Sequence, residues 1–414
     1  MTEAVTWISG GAHVQYSFFS LGSFLAYLLA TKEKKYYLLS LAFFVLALLS
    51  SEKAVVLPAI LLAYEVSNKS ISKNWKGLIA PFLLGGSWAA VSAAGITQRV
   101  QTLQTSFYQK PSTLNPLTQI PIAITSYLEL IFWPKNLTLY HSEMIFTQTE
   151  YLIRLGIFLA FLGSIVYTYR RQRQVFFWLS FFIISLLPTL TPFGISWIVA
   201  ERYVYLGAIG IFVVVALVFN QLWKNEKLRP GVRILFSLII LALLTRTIVR
   251  NVDWKDQDTL WLATAKTSPS SSQNHNNLGD YYGRQGDFEK AIEEFKRAIE
   301  LNPNYAGAYH NLANTYRQLG KTDWAIENYQ KAAELNPNLW QSHQNLAVSY
   351  FDRGQLDLAE ENMKKAIEVN PENANLYLNL GIIYLRMEDG PRAEEAFQKA
   401  RELDPQIQTP PTQP

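Results

Sequence analysis

The sequence predicts an all-α protein, a polytopic transmembrane helical domain followed by an α-solenoid. Apolar segments recur through the first 250 residues, prolines recur at a fixed interval through the rest, and the charge balance reverses between the two. Residues 1–250 carry 21 Lys/Arg against 9 Asp/Glu, and residues 251–414 carry 16 against 24. The overall +4 is thus a basic half joined to an acidic half, and two domains are expected. The basic residues fall in short clusters between apolar runs, so no nucleic-acid partner is expected. The absence of cysteine excludes disulfides, thiolate metal sites and cysteine nucleophiles. The first residues have no basic region ahead of a short apolar core, so no cleavable signal is expected.

The apolar segments lie near 14–31, 36–50, 54–66, 77–95, 155–169, 175–193, 203–222 and 234–249. Several are short against the roughly 20 residues that cross a bilayer, and 36–66 reads either as one helix or as two broken at Ser51-Glu52-Lys53. Charge parity chooses the second. With two crossings, the clusters at 32–35, at Lys69, Lys73 and Lys76, at 170–173 and at 224–233 all face one side. These clusters hold 13 of the 21 basic residues, and positive loops stay cytoplasmic. The same parity keeps 117–134 out of the count, and its Pro121 and Glu129 suit an interfacial helix. About eight spans follow, with residues 1–250 in the bilayer and both the first residues and everything after 250 on the exoplasmic side. Trp7, Tyr16, Trp133, Tyr140, Tyr151, Trp197 and Tyr203 form an aromatic belt there.

Pro269, Pro303, Pro337, Pro371 and Pro405 recur every 34 residues. The same period divides 272–407 into units at 272–305, 306–339, 340–373 and 374–407. Each unit repeats Leu (Leu278, Leu312, Leu346, Leu380), Tyr (Tyr282, Tyr316, Tyr350, Tyr384) and two alanines, the first being Ala291, Ala325, Ala359 and Ala393. The second set is Ala298, Ala332, Ala366 and Ala400. This is the tetratricopeptide signature: two antiparallel helices per unit, small residues where they touch, and proline ending the second. Residues 251–271 keep Trp261 and Pro269 in phase, so a half-repeat joining the two domains is expected; residues 408–414 read as a disordered tail. Stacked repeats make a groove. Asn277, Asn311, Asn345 and Asn379 recur at one position, where carboxamides offering both donor and acceptor suit an extended peptide backbone. Helix-to-helix contact is the plainer use of the same residues. Asn276, His310, Gln344, Asp280 and Asn314 keep the early groove polar, and Val348, Phe351, Ile382 and Leu385 make its far end apolar.

Soluble-enzyme motifs are missing: no Gly-rich phosphate loop, no His-Glu-x-x-His and no Gly-x-Ser-x-Gly elbow. The five histidines are scattered, and no metal site or resident cofactor is expected. What remains is a set of charges at the expected outer face: Glu3, Glu52, Lys53, His141, Glu143, Glu201 and Arg202. Each reads equally as a mark of where a helix leaves lipid. Together they suit a phosphorylated lipid, with Arg or Lys holding phosphate and a carboxylate orienting or deprotonating a hydroxyl.

"TEAVTWISG" (2–10), "LLSSEKAVVLPAILLAYE" (48–65), "FWPKNLTLYH" (132–141) and "AERYVYLG" (200–207), followed by these repeats, resemble the transmembrane and tetratricopeptide-repeat-containing O-mannosyltransferases and their bacterial relatives. That family belongs to the GT-C glycosyltransferase superfamily. The resemblance implies transfer of a sugar, often mannose, from a polyprenyl-phosphate carrier to hydroxyls of a protein acceptor. It implies carrier-phosphate contacts at Arg202, Lys53 and His141, accessory acids at Glu3, Glu52 and Glu201, and repeats that hold the acceptor. In that family further spans and an acidic pair precede the first motif, so the catalytic pair is expected ahead of Met1. The Arg and Asp that often follow "WISG" are replaced here by Gly11-Ala12-His13. The chain as written is therefore not expected to catalyse alone. Two other readings stand beside this one: a non-enzymatic membrane-anchored repeat scaffold for envelope proteins, and a secretion or assembly component.

Overall fold

The computed structural model describes residues 11–95, 116–132, 146–190 and 199–411, and all regular structure among them is helical. Contacts divide the chain into two units, one ending at Ser268 and the other beginning at Pro269. The division falls inside the segment expected to join the domains.

The first unit comprises α1 (Gly11–Ala30), α2 (Tyr36–Ser50), α3 (Leu57–Asn68), α4 (Ile71–Ala94), α5 (Pro116–Phe132), α6 (Gln148–Arg171), α7 (Arg173–Leu186), α8 (Ala208–Trp223), α9 (Arg229–Asp253) and α10 (Gln257–Thr267). Each segment expected to span contains a helix. Among the described residues, α4, α6 and α9 are long and apolar enough to cross a membrane, whereas α2, α5, α7 and α8 are apolar but shorter. The break at Ser51 is real. Ser51 is extended (φ −163°, ψ 137°), its hydroxyl accepts the Lys53 N–H, and a 3₁₀ turn (Glu52–Val56) leads into α3. Pro58 then occupies the first turn of α3, where its missing N–H costs nothing.

Helix α7 is the middle of this unit. Phe177 and Phe181 pack with side chains of α1 to α4, while Leu179, Phe182 and Leu186 pack with α5 and residues 199–211. A helix apolar around its whole circumference is buried around its whole circumference. Small residues set the closest approaches. At Gly210 an added Cβ would collide with the Trp178 carbonyl on α7, and at Gly207 it would meet the Phe182 carbonyl at 3.3 Å. Between α1 and α2, Ser23 donates to the Ser40 carbonyl (2.7 Å) and Ser40 to the Ser23 carbonyl (2.9 Å). The fully buried Glu65 carboxylate of α3 accepts from Tyr27 of α1 (3.0 Å), from Asn74 of α4 (3.0 and 3.2 Å) and from Ser70.

The second unit is a stack of helix pairs: α11 (Ser272–Arg284) with α12 (Phe288–Leu301), α13 (Ala306–Gln318) with α14 (Thr322–Leu335), α15 (Trp340–Asp352) with α16 (Leu356–Val369), and α17 (Ala374–Arg386) with α18 (Gly390–Leu403). The first helix of each pair starts at the first residue of a 34-residue unit. The repeated leucines and both sets of repeated alanines are buried, which is why those positions cannot vary with the rest. Gly279 and Gly381 leave room for the rings of Phe295 and Phe397. Between the helices of each pair one residue is left-handed: Gly286 (φ 79°), Gly320 (φ 71°), Gly354 (φ 73°) and, in the last pair, Glu388 (φ 62°). Among these four turns only the last makes a side chain bear the strain that glycine avoids. At the end of the chain Arg401 donates to Thr409 (2.7 Å), so the expected tail is tied at its start.

The α7–α8 contact generates an internally controlled test. Gly210→Val should lower the thermal midpoint of the detergent-solubilised protein by several degrees, since overpacking costs roughly 1–3 kcal/mol. Gly163→Ala on α6, where an added Cβ meets nothing within 4 Å, should leave it within about one degree. Equal midpoints for both variants would show that the glycine does not set the approach.

Candidate functional site

Two charged turns from distant parts of the chain meet at one ring. Lys53 leaves the 3₁₀ turn that starts α3, and Arg202 leaves a second 3₁₀ turn (Glu201–Val204) ahead of α8. The Lys53 ammonium stands 3.5 Å from the centre of the Tyr203 ring, and the Arg202 guanidinium 5.0 Å from it. Tyr203 is itself buried, while Lys53 and Arg202 are partly exposed, and cation–π contacts of this kind are worth about 1 kcal/mol. The His13 ring lies 5.8 Å from Tyr203 and 5.9 Å from Tyr16, and the charges of Lys53 and Arg202 both act on it. The structure thus brings together two of the three residues expected at a carrier phosphate. The third, His141, and the accessory Glu3 lie outside the described residues, as does Glu143. Glu52 is exposed beside Lys53.

Glu201 is placed differently from the expectation of an accessory acid. Its carboxylate is buried against the guanidinium of Arg250, at the end of α9, with Nη2 to Oε1 at 3.0 Å and side chains 2% and 4% exposed. Arg250 also donates to Asp253 (3.1 Å), and its charge lies over the Trp254 ring at 5.6 Å. Sequence reasoning passed over Arg250 and Tyr203. Tyr203 counted as one more belt aromatic. Arg250 did leave a signal: it stands at the end of its span opposite the basic clusters, with Asp253 three residues on.

A second pin of the same kind joins α5 to α6. Arg154 donates to Glu129 (3.0 Å), Thr125 (3.1 Å) and Ser126 (3.2 Å), and its charge lies 4.2 Å from the Phe146 ring. Arg154, Glu129, Thr125 and Phe146 border an apolar groove of about 440 Å³ that Leu128, Phe132, Ile153 and Ile157 also line. Among the described residues no group of three or more His, Asp or Glu is placed to hold a metal ion.

In the repeats, the expected asparagine ladder is engaged between helices. Asn311 donates to Asn276 (3.0 Å) and Asn345 to Asn314 (3.0 Å), each bond linking one repeat to the one before it. Asn314 also accepts from Tyr329 (2.5 Å). One donor of these carboxamides therefore serves the stack. The histidines do likewise. His275 reaches Glu294 (2.6 Å) and the Pro269 carbonyl (2.9 Å), His343 reaches the Pro337 carbonyl (3.1 Å), and His310 bonds Ser342 (2.8 Å). The hydrogen bond that His275 donates to the Glu294 carboxylate raises the His275 pKa above its usual value. Burial, with Arg317 nearby, lowers that of His310 to about 4.

Comparison with known proteins separates the two units. Models described as TPR repeat or tetratricopeptide repeat match residues 279–320 and 348–388, 306–339, 328–361 and 374–407. The second unit is a tetratricopeptide-repeat solenoid. The protein O-mannosyl-transferase Tmtc2 of Drosophila melanogaster is 32% identical over 130 residues, which are 31% of this chain and 14% of that protein. The protein O-mannosyl-transferase TMTC3 of Mus musculus is 24% identical over 358 residues, 74% of this chain and 38% of that protein. The chain therefore spans well under half the length of these relatives. Residues 251–414 are about two fifths of the chain, so the mouse alignment reaches into the apolar half as well. A crystal structure of MamA is 26% identical, covers 35% of this chain and 85% of its own, and has a TM-score of 0.33. The chain is thus similar, at low identity and over part of their length, to proteins named protein O-mannosyl-transferases.

The two histidines give the repeats opposite pH dependences. His310 has a lowered folded pKa, so its contribution is complete above the unfolded value near 6.5 and is lost as pH falls towards 4. Wild-type repeats should lose roughly 2–3 kcal/mol through this group between pH 7 and pH 4. His310→Asn should flatten that limb of a urea-denaturation series. His275 has a raised folded pKa, so its contribution is complete below about 6.5 and is lost as pH rises through the folded value. An unchanged acid limb in His310→Asn would remove this account.

Proposed function

We propose that this chain is an integral membrane glycosyltransferase-like protein. In this reading Lys53 and Arg202 contact the phosphate of a polyprenyl-phosphate sugar carrier, and the repeats hold a protein acceptor whose hydroxyls receive the sugar. The observation that carries the reading is the convergence of two cations, far apart in sequence, on the single ring of Tyr203. A phosphate with several acceptor oxygens is bound best by adjacent cationic donors. The relatives named protein O-mannosyl-transferases supply the reaction class and make mannose the first sugar to test. Glu52, exposed beside Lys53, is the acid placed to orient a hydroxyl. Asn277, Asn311, Asn345 and Asn379 remain the proposed peptide-contacting set; a carboxamide such as that of Asn311 or Asn345, which gives one donor to the neighbouring repeat, has further hydrogen-bonding sites. A membrane-anchored repeat scaffold is the second reading, favoured by the family-model matches, all of which fall within the repeats.

Binding separates the two. The full chain in nanodiscs should bind farnesyl phosphate, and Arg202→Ala or Lys53→Ala should each weaken binding about tenfold or more, the loss of one charge-assisted contact of about 1.5–3 kcal/mol. Affinity unchanged in both variants would leave the repeats as the working part. Charge parity further puts the repeats on the exoplasmic side. The chain has no cysteine, so a single introduced one reports alone. In intact cells a membrane-impermeant maleimide should label Asn304→Cys and not Lys34→Cys. The reverse pattern would overturn the orientation.

A further inference from the structure

The groove between α5 and α6 is charged at one end and apolar beyond it. Its α6 wall runs from Glu150 to Ile157, about 10 Å along the helix axis. Glu150 and Arg154 stand in the first two turns of α6, and this is the end opposite the basic residues 170–173. In a helix long and apolar enough to cross a membrane, such an end lies at a bilayer surface, with Ile157 deeper. Phe132, Ile153 and Ile157 are exposed, so the groove opens to its surroundings. Its volume of about 440 Å³ is that of an ordinary ligand cleft, roughly 300–1,000 Å³. The polar lining selects the headgroup. Glu129 is half exposed, and one of its oxygens accepts from Arg154. Glu150 is exposed, and one of its oxygens accepts from the Thr147 N–H and hydroxyl. A carboxylate has lone pairs beyond such bonds. Arg154 is the one cation of the lining, and it already donates to Glu129, Thr125 and Ser126. Two carboxylates beside one engaged guanidinium favour a cationic ligand group. A primary ammonium brings three N–H donors to them. A quaternary ammonium brings none and is ordinarily held by aromatic faces, whereas Arg154 already lies over the Phe146 ring at 4.2 Å. A fastening of α5 to α6 would account for Glu129 and Arg154, but not for Glu150 or for the open groove.

We propose that this groove binds a phospholipid with a primary-amine headgroup, of the phosphatidylethanolamine kind. One acyl chain lies along Phe132, Ile153 and Ile157, the ammonium meets the carboxylates of Glu129 and Glu150, and the phosphate lies on the Arg154 side. Neither Lys53 nor Arg202 lines the groove, so the carrier-phosphate reading can fail without touching this one.

The test titrates the detergent-solubilised full chain with dioctanoyl phosphatidylethanolamine, phosphatidylcholine or phosphatidylglycerol and counts bound lipid by native mass spectrometry. Wild type should bind the ethanolamine lipid about tenfold more tightly than either of the others, the worth of one charge-assisted hydrogen bond. Glu129→Gln combined with Glu150→Gln should remove that preference and leave the choline lipid unchanged; glutamine at 150 keeps the capping box that starts α6. Ile157→Trp, which fills the groove, should weaken the ethanolamine lipid at least tenfold. Equal Kd for the three lipids in wild type, or the lowest Kd for phosphatidylglycerol, overturns the proposal, and this comparison needs no variant to fold. A preference that survives both the double glutamine variant and Ile157→Trp places the lipid elsewhere and overturns it too. Displacement of the ethanolamine lipid by an equal concentration of farnesyl phosphate would give the groove to an anionic carrier, with the same consequence.

Discussion

The membrane unit is organised around the ring of Tyr203, which holds Lys53 on one turn and Arg202 on another. The ring can do this because its own position is over-determined. It packs in the cluster that α5, α7 and residues 199–211 build, next to the fully buried Tyr127 of α5. The turn bearing Lys53 enters the other cluster through Ala54 and Val56. The two clusters share α7, so two charged turns that lie far apart in sequence are referred to one rigid helix. Placement of the cations then follows from apolar packing, which is close to crystalline in density.

Much of this was legible in the sequence because it is periodic. The repeat starts at 272, 306, 340 and 374 coincide with helix starts, since a 34-residue period carries both the leucine that must be buried and the proline that must end a helix. The break at Ser51-Glu52-Lys53 was legible from charge parity alone. The partner of Glu201 was not, because an ion pair across 49 residues has no local pattern. Nor was the internal use of the asparagines. Donor and acceptor at a recurring position look the same whether the bond goes to a bound peptide or to the adjacent repeat, and only geometry tells the two apart.

The repeats satisfy their polar groups by a principle different from that of the membrane unit. Asn276–Asn311 and Asn314–Asn345 are neutral bonds between the first helices of successive repeats, each worth about 1 kcal/mol. They fix the register of one repeat on the next without burying a charge. A carboxamide has four hydrogen-bonding sites, so a stack bonded this way keeps capacity for an extended backbone along the same face. Structural use and peptide use therefore do not compete for these residues. The relevant comparison is between repeats, where His310 and Asn314 give way to Gln344 and Val348, then to Leu378 and Ile382.

In the apolar half, charge is handled by arginine. Arg154 and Arg250 are built alike: each donates at 3.0 Å to a glutamate on another element, and each lays its cation over an aromatic ring. Both stand at the end of a long span opposite the basic clusters, where a lone cation has no reason to be. Taking the Arg250–Glu201 pair out of water costs several kcal/mol per ion, and Asp253 takes up one more Arg250 donor; Glu129 keeps half its side chain exposed, so the Arg154 pair is desolvated far less. Lys53 and Arg202 meet instead at one ring, that of Tyr203. Their turns enter the two apolar clusters that share α7, so packing holds the two cations side by side, and adjacent cationic donors are the arrangement that binds a phosphate best.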